Sequence, residues 1–158
     1  MKNNKVVSFF FSVGICFLAG IVGSIFTYPA IKTWYVFLNK SSFNPPNWIF
    51  GPVWSLLYLM MAVALYLAIN SKTKKIVKNQ GLKYFYIQLV LNLFWSVIFF
   101  GAKLPLAAFF EIIFLWVFIF ITIMKFMKIN KVAAALLIPY LIWVSFASVL
   151  NLFIAVLN

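Results

Sequence analysis

The chain has 158 residues, of which 66% are apolar and only 9% are charged, a composition far outside that of soluble globular proteins. It holds one acidic residue, Glu111, one cysteine and no histidine, so paired-carboxylate, Ser-His-Asp, Cys-His and multi-residue metal sites cannot be assembled within it. The net charge of +12 comes from lysines that fall mostly between the apolar runs, without the fold or accessible aromatic platform of nucleic-acid-binding proteins. The composition therefore indicates an all-α integral membrane protein that binds no nucleic acid and holds no metal.

Apolar runs of membrane-spanning length predict five transmembrane helices. One span of the hydrocarbon core needs about 20 residues. The runs place the helices at about residues 6–28, 48–69, 82–102, 105–125 and 131–156. The expected fold is a single transmembrane domain, residues 1–158, built as a bundle of five helices.

The first span follows two lysines and contains the single cysteine, Cys16. Its apolar run is longer than the h-region of a signal peptide, which favours a retained span over a cleaved one. Two overlapping small-xxx-small pairs in this span would let another helix approach closely, either within the chain or in a second copy: Ala19, Gly20, Gly23 and Ser24.

Residues 43–58, FNPPNWIFGPVWSLLY, carry the most informative pattern of the chain. Pro45 and Pro46 predict an extended turn, and Pro52 falls where the first turn of a helix tolerates a missing N–H. The loop before the second span holds more aromatic residues than a solvated connector: Trp34, Tyr35, Phe37, Phe43 and Trp48. We therefore expect a structured first loop that closes over one end of the bundle.

Helical spacing places aromatic and polar side chains on one face of three spans. In the second span, Trp54 and Tyr58 are four residues apart, so both rings project from one side. The third and fifth spans carry similar stripes: Gln88, Asn92, Trp95 and Ser96 in the third, and Tyr140, Trp143, Phe146, Ala147 and Asn151 in the fifth. Amides are costly against lipid and should face the bundle. Pro139 is expected to bend the fifth span beside its stripe.

All three stripes reach the end of the bundle at which the first loop lies, and this predicts a lidded pocket with aromatic walls. The predicted hydrogen-bonding groups of that pocket are those of Tyr58, Gln88, Asn92, Trp95 and Asn151. A large planar amphiphile would suit it, with rings stacked on Trp and Tyr and anionic groups near Lys32 or Lys40. An alternative stays open, because Trp and Tyr are enriched at membrane interfaces generally and amides often only hold helices together.

Glu111 lies about a turn and a half into the fourth span, counted from Pro105. One interpretation is a polar contact inside the bundle or a partner for Lys103. The other is a carboxylate that reaches the lipid headgroups. The sequence leaves both open.

The lysines predict how the chain lies in the cell membrane. With five spans, one side holds Lys2, Lys5, Lys72, Lys74, Lys75, Lys78, Lys83, Lys125, Lys128 and Lys131, and the other holds Lys32, Lys40 and Lys103. Because lysine-rich connections stay in the cytoplasm, the N-terminus is predicted to be cytoplasmic, and the C-terminus and first loop non-cytoplasmic. The lysine-rich loop expected at residues 72–83 should attract anionic membrane lipids.

Three segments resemble the TspO/MBR family of translocator and tryptophan-rich sensory proteins: residues 43–58, LNLFWSVIFF at 91–100 and LLIPYLIWVSFASVLN at 136–151. The resemblance implies a five-helix bundle that binds porphyrins, haem and isoquinoline carboxamides between the helices and beneath the first loop. Family members are often homodimers. The matching pocket positions are Trp54, Tyr58, Asn92, Trp95, Trp143, Phe146 and Ala147, with Trp48 and Phe50 in the adjoining motif.

The resemblance leads to three hypotheses of function. The first is a sensor, scavenger or carrier of a protoporphyrin-like ligand, with no cofactor required. The second is slow photo-oxidative degradation, in which the light-absorbing porphyrin supplies the reactivity while Trp54 and Trp143 take part. The third, a lipid or sterol transporter, is disfavoured for sterols because no Lys or Arg follows Tyr140, as the proposed sterol motif requires.

Overall fold

The computed structural model describes the backbone of residues 2–158 and the side chains of residues 4–158. Its helices are α1 (Lys2–Thr33), α2 (Asn47–Ile69), α3 (Lys75–Ser96), α4 (Pro105–Met127), α5 (Lys131–Leu136) and α6 (Ile138–Leu157). A π-helical turn, Val97–Gly101, extends α3, and α5 and α6 together form one span. Five spans in the described residues are long and apolar enough to cross a membrane. The predicted all-α bundle of five transmembrane helices is confirmed.

Two helices extend beyond the predicted spans. α1 does not end near residue 28 but continues through Pro29. α3 begins at Lys75, not at residue 82, so most of the lysine-rich segment predicted as a loop is helical. The ammonium of Lys78 donates to the carbonyl oxygens of Ile69 (2.9 Å) and Ser71. It thereby satisfies backbone groups left without partners where α2 ends.

The spans surround one core in the order first, second, fifth, fourth, third. α1 packs along α2 and α3, α4 packs along α3 and α6, and α5 packs against α2 and α4. α6, unlike α5, does not pack closely along α2. The helix is interrupted at Leu137, whose N–H donates to the carbonyl of Ala134 (3.1 Å). Pro139, which was expected to bend this span, follows two residues later. The fifth span therefore packs against the second before this interruption and separates from it beyond Leu137.

The two ends of the bundle are held by different contacts. At the lysine end, where α2 connects to α3 and α4 to α5, Ser71 and Thr73 both donate to the carbonyl of Ile129 (2.9 and 3.1 Å). At the opposite end, the loop end, the Asn39 N–H donates to Oδ1 of Asn158 (2.9 Å) and Nδ2 of Asn158 donates to the Asn39 carbonyl (3.0 Å). The orientation of these ends in the membrane stays a prediction, and the Lys2 side chain counted for it lies outside the described residues.

The first loop, residues 34–46, is ordered by aromatic contacts. Tyr35 begins a short 3-10 turn, and its buried ring packs against Phe100 with centroids 5.9 Å apart. The Tyr35 hydroxyl donates to Oδ1 of Asn44 (3.1 Å), which folds the loop back on itself. Burial raises the pKa of Tyr35, and this hydrogen bond opposes the rise. Phe43 meets Phe153 of α6 edge to face at 5.3 Å. The loop is therefore fastened to the bundle as a lid.

Two of the small residues of α1 serve packing within the chain. A Cβ built at Gly20 would lie 2.6 Å from Cε2 of Tyr58 on α2. A Cβ at Gly23 would lie 3.1 Å from Oγ of Ser96 on α3. The sequence left internal and intermolecular packing open for these residues, and the structure assigns both glycines to internal contacts. Homodimer formation stays a prediction.

Substitution of Gly20 by alanine is expected to lower the melting temperature in detergent by about 5 °C, because overpacking of a tight contact costs about 1–3 kcal/mol. The Tyr58 ring cannot retreat freely, since its hydroxyl is hydrogen-bonded to Asn92 at 2.6 Å. Gly14 lies on the same helix with no atom within 4 Å of its would-be Cβ, so Gly14→Ala is the matched control and should be neutral or slightly stabilising. Equal effects of the two substitutions would contradict this packing.

Candidate ligand-binding cavity

A cavity of about 590 Å³ lies in the loop-end half of the bundle, a volume typical of small-molecule sites. The surrounding elements are α1, α2, α3 with its π-helical turn, α6 and the first loop; no described residue of α4 lines the cavity. Several residues that line one side are exposed: Ile21, Ser24 and Tyr28 of α1, and Gly51 and Ser55 of α2. The cavity therefore opens sideways between α1 and α2, toward the surrounding lipid.

The floor of the cavity is a chain of hydrogen bonds across α2, α3 and α6. The Tyr58 hydroxyl donates to Oδ1 of Asn92 (2.6 Å), and Nδ2 of Asn92 donates to the Tyr140 hydroxyl (3.0 Å). Asn92 is 2% exposed and Tyr140 is fully buried. A buried amide is costly unless it is hydrogen-bonded. Both ends of this amide have partners, so the chain holds the three helices in a defined relation below the cavity.

A second amide fixes the wall formed by α3 and α6. Nε1 of Trp95 donates to Oδ1 of Asn151 (3.0 Å), and Nδ2 of Asn151 donates to the carbonyl of Pro105 at the start of α4 (2.7 Å). The Trp95 ring stacks on Phe99 with centroids 5.0 Å apart and planes 22° apart. Phe99 and its neighbour Phe100 are both buried in the π-helical turn. The wall is thus a fixed aromatic surface.

Aromatic side chains bridge α2 and α6 where the two helices diverge. Phe50 and Trp143 meet edge to face with centroids 6.0 Å apart. Trp54 and Tyr140 meet in the same way at 6.2 Å. Ala147, one turn beyond Trp143, lines the cavity with a side chain too small to fill it. Rings border the space between the helices, and an empty volume remains inside.

The mouth of the cavity, meaning its opening beside Tyr28 and Lys32 in the last turns of α1, carries positive charge. Lys32 is the one charged residue among the described lining residues, and it is exposed in the last turn of α1. Its Nζ donates to the Tyr28 hydroxyl (2.8 Å) and lies 4.3 Å from the centroid of that ring. Lys40 does not line the cavity. Its Nζ donates to the Leu38 carbonyl (2.9 Å) and lies 4.8 Å above the Tyr35 ring, and partial burial lowers its pKa.

Comparison with known proteins decides the family. Residues 12–157 match the model of the TspO/MBR family. The chain belongs to this family. The tryptophan-rich protein TspO of Chlorobaculum tepidum is 44% identical over 156 residues, 99% of both chains. The protein of the same name from Archaeoglobus fulgidus is 42% identical over 139 residues, 88% of this chain and 89% of the relative. Human translocator protein is 36% identical over 137 residues, 85% of this chain and 80% of the relative.

Family membership and the five apolar helices together make this chain a multi-pass membrane protein.

Nine of the eleven predicted ligand-binding residues line the cavity: Trp48, Phe50, Trp54, Tyr58, Asn92, Trp95, Trp143, Ala147 and Asn151. Gln88 does not line it and lies in the core one turn below Asn92, 1% exposed and without a side-chain partner in the described part of the chain. Phe146 faces a shallow outer groove between α2 and α6. These two positions depart from the predicted pocket.

The polar groups predicted for the ligand are largely engaged with one another in this TspO/MBR protein. Tyr58, Asn92, Trp95 and Asn151 all donate to other protein groups. Their hydrogen bonds organise the walls and floor, so the interior that a ligand would meet is mostly apolar. Two lining donors remain available to a ligand: the Lys32 ammonium at the mouth, and Nε1 of Trp143, which is buried without a hydrogen-bonding partner among the described residues.

Sequence reasoning missed the wall that α1 contributes. The four residues Gly20, Ser24, Tyr28 and Lys32 recur at a spacing of four and all line the cavity. That spacing is the signal that was present, because residues four apart share one helix face. Gly20 and Ser24 were interpreted only as packing residues, and the predicted span ended before Lys32. The inward packing of Phe99 and Phe100 from a π-helical turn was missed as well.

The carboxylate of Glu111 lies away from the cavity of this TspO/MBR protein. It belongs to α4, and both of its oxygen atoms are buried without a hydrogen-bonding partner among the described residues. Because these oxygens have no partner in the described part of the chain, the structure shows neither the predicted polar contact inside the bundle nor the ion pair with Lys103. Because they are buried, they do not reach the headgroups either. In the described part of the chain, no three His, Cys, Asp or Glu residues come together as metal ligands.

Replacement of Asn151 by alanine is expected to reduce the free energy of unfolding by roughly 1–3 kcal/mol, because the indole N–H of Trp95 and the carbonyl of Pro105 both lose their partner. Thermal unfolding in detergent, followed by circular dichroism, would measure the loss. Asn79→Ala is the matched control, since Asn79 is exposed near the start of α3. If both variants unfold at the wild-type temperature, the bridging role of Asn151 is wrong.

Proposed function

We propose that this protein binds a porphyrin or a related tetrapyrrole in the cavity and serves as a sensor, scavenger or carrier in the cell membrane. The observation that carries the proposal is a cavity of about 590 Å³ whose walls are aromatic rings from α2, α3 and α6. Planar ligands stack on such walls, and an aromatic pair contributes about 0.5–1.5 kcal/mol beyond the burial of area. The lateral opening suits a ligand that arrives through the bilayer.

Satisfied polar groups around the cavity support a ligand with a large apolar body. Because the amides of Asn92 and Asn151 are already paired, affinity would come from ring stacking and burial, not from new hydrogen bonds at the floor. Isoquinoline carboxamides, which are also flat and mostly apolar, are proposed to compete for the same space. Membrane lipids would occupy the lateral opening when no ligand is bound.

A sterol transporter is the less favoured function. No basic residue follows Tyr140, and the structure adds a second observation against sterol binding. The Tyr140 side chain is fully buried, and its hydroxyl accepts a hydrogen bond from Asn92. A tyrosine in that position is not available to a sterol on the lipid-facing surface. Displacement of bound porphyrin by cholesterol at low concentration would reverse this judgement.

Titration of the purified protein with protoporphyrin in the dark tests the proposal. In nanodiscs of zwitterionic lipid, we expect saturable quenching of tryptophan fluorescence and a shifted porphyrin absorbance band. Trp143→Phe should weaken binding about three- to tenfold, because it removes part of one aromatic wall. Trp116→Phe is the matched control, since Trp116 lies on α4 outside the cavity and donates to Ser145. Absence of saturable binding to the wild type would overturn the proposal.

Illumination of the same samples in the presence of dioxygen separates binding from degradation. A porphyrin band that stays unchanged in the light indicates a sensor or carrier. Loss of the band that requires the protein, dioxygen and Trp54 or Trp143 would establish photo-oxidative degradation, with dioxygen as the oxidant. Loss at the same rate without protein would be photobleaching, and binding would then be the one function supported.

Metal-free protoporphyrin is expected to bind at least as tightly as haem. The chain has no histidine to provide the usual axial nitrogen ligand. Cys16 is buried and does not line the cavity, and the Tyr58 hydroxyl is paired with Asn92. The absorbance spectrum of added haem should therefore show no strong ligation by the protein. A spectrum of thiolate- or tyrosinate-ligated iron would contradict this expectation.

A further inference from the structure

The mouth of the cavity holds a cation that no acidic group neutralises. Lys32 lies in the last turn of α1, where the partial negative charge of a helix C-terminus favours a cation. No described residue that lines the cavity is acidic. The single acidic residue of the chain, Glu111, has both oxygens buried in α4, which does not line the cavity. An anionic ligand would therefore meet an unpaired positive charge.

The Lys32 ammonium is held at the mouth with donors to spare. Its Nζ gives one hydrogen bond to the Tyr28 hydroxyl at 2.8 Å and lies 4.3 Å from the ring centroid. An ammonium has three N–H donors, so two remain for a ligand. Tyr28 itself lines the cavity, so its hydrogen bond with Lys32 holds the ammonium at the opening.

The other lysines of the loop end are placed differently. Lys40 is partly buried, and its ammonium donates to the carbonyls of Leu38 (2.9 Å) and Val36 (3.4 Å) inside the first loop. Lys103 is exposed after the π-helical turn, in the left-handed region with φ of 57°, and does not line the cavity. The position of Lys32 is therefore distinct among the three.

We propose that Lys32 is a specificity-determining residue that selects planar amphiphiles with a carboxylate on one edge. The carboxylate is held at the mouth by the ammonium, while the apolar ring system lies among the aromatic walls. This inference rests on the proposed binding of tetrapyrroles and names the feature that distinguishes an accepted ligand from a rejected one. A neutral ligand of the same shape would gain the stacking but not the charged contact.

Two ligands with the same ring test the inference: protoporphyrin, with two free carboxylates, and its uncharged dimethyl ester. Both are titrated in the dark into wild type, Lys32→Gln, Lys32→Glu and Lys32→Arg in zwitterionic nanodiscs at low salt. For the free acid, we expect Lys32→Gln to raise the dissociation constant about two- to fivefold and Lys32→Glu to raise it further. Lys32→Arg should retain binding. The dissociation constant of the ester should be the same in all four proteins.

The comparison is made between variants for each ligand, so differences in how the two ligands partition into lipid cancel. Lys103→Glu is the matched control for long-range charge at the same end of the bundle and should change neither dissociation constant. Equal changes for acid and ester, or no change for either, would overturn the role of Lys32 while the proposed function stands. If neither ligand binds the wild type saturably, the proposed function itself is wrong. Binding of the ester also reports that each variant keeps a folded cavity.

Discussion

The carboxamide of Asn92 is the group on which the arrangement of the cavity depends. Its oxygen accepts from Tyr58 on α2 and its nitrogen donates to Tyr140 on α6, so one side chain of α3 joins three spans. In a bundle surrounded by lipid, the hydrophobic effect does not draw helices together, and polar contacts with close packing decide their positions. A leucine at this position would leave two tyrosine hydroxyls in the apolar interior without that partner. The amide therefore sets how far α2 and α6 can separate above it.

An apolar cavity persists above this floor because the helices that border it are held at both ends. At the lysine end, α5 packs against α2, whereas α6 leaves α2 beyond the interruption at Leu137. At the loop end, Asn158 pairs with the backbone of Asn39, and Phe43 packs on Phe153. The gap between these fastenings is bordered by aromatic rings that contact one another across it, Phe50 with Trp143 and Trp54 with Tyr140.

Much of this structure can be predicted from patterns in the amino-acid sequence. Apolar runs of sufficient length predict five spans, because a helix satisfies all backbone hydrogen bonds of a continuous apolar segment within that segment. Spacing of three and four residues brings Trp54, Asn92 and Trp143 to one cavity, because each lies on a stripe along one helix face and that face is turned toward the bundle interior. Hydropathy does not locate helix ends, however, and the helical turns that contain Pro29 and Lys78 lie beyond the predicted spans. Gln88 shares the stripe of Asn92 but lies one turn too deep, a distinction that periodicity alone cannot make.

The division between floor and mouth determines where ligand selection can occur. At the floor, Tyr58 and Asn92 are paired with each other, so a ligand that formed a new hydrogen bond there would first break an existing one. Such an exchange yields little net free energy, because one protein bond is lost for each bond gained. At the mouth, the Lys32 ammonium has unused donors and is solvent-accessible, so a carboxylate adds a contact without breaking the network below. In the proposed function, the aromatic walls would favour flat ligands in general, and the Lys32 ammonium would discriminate among flat ligands by their charge.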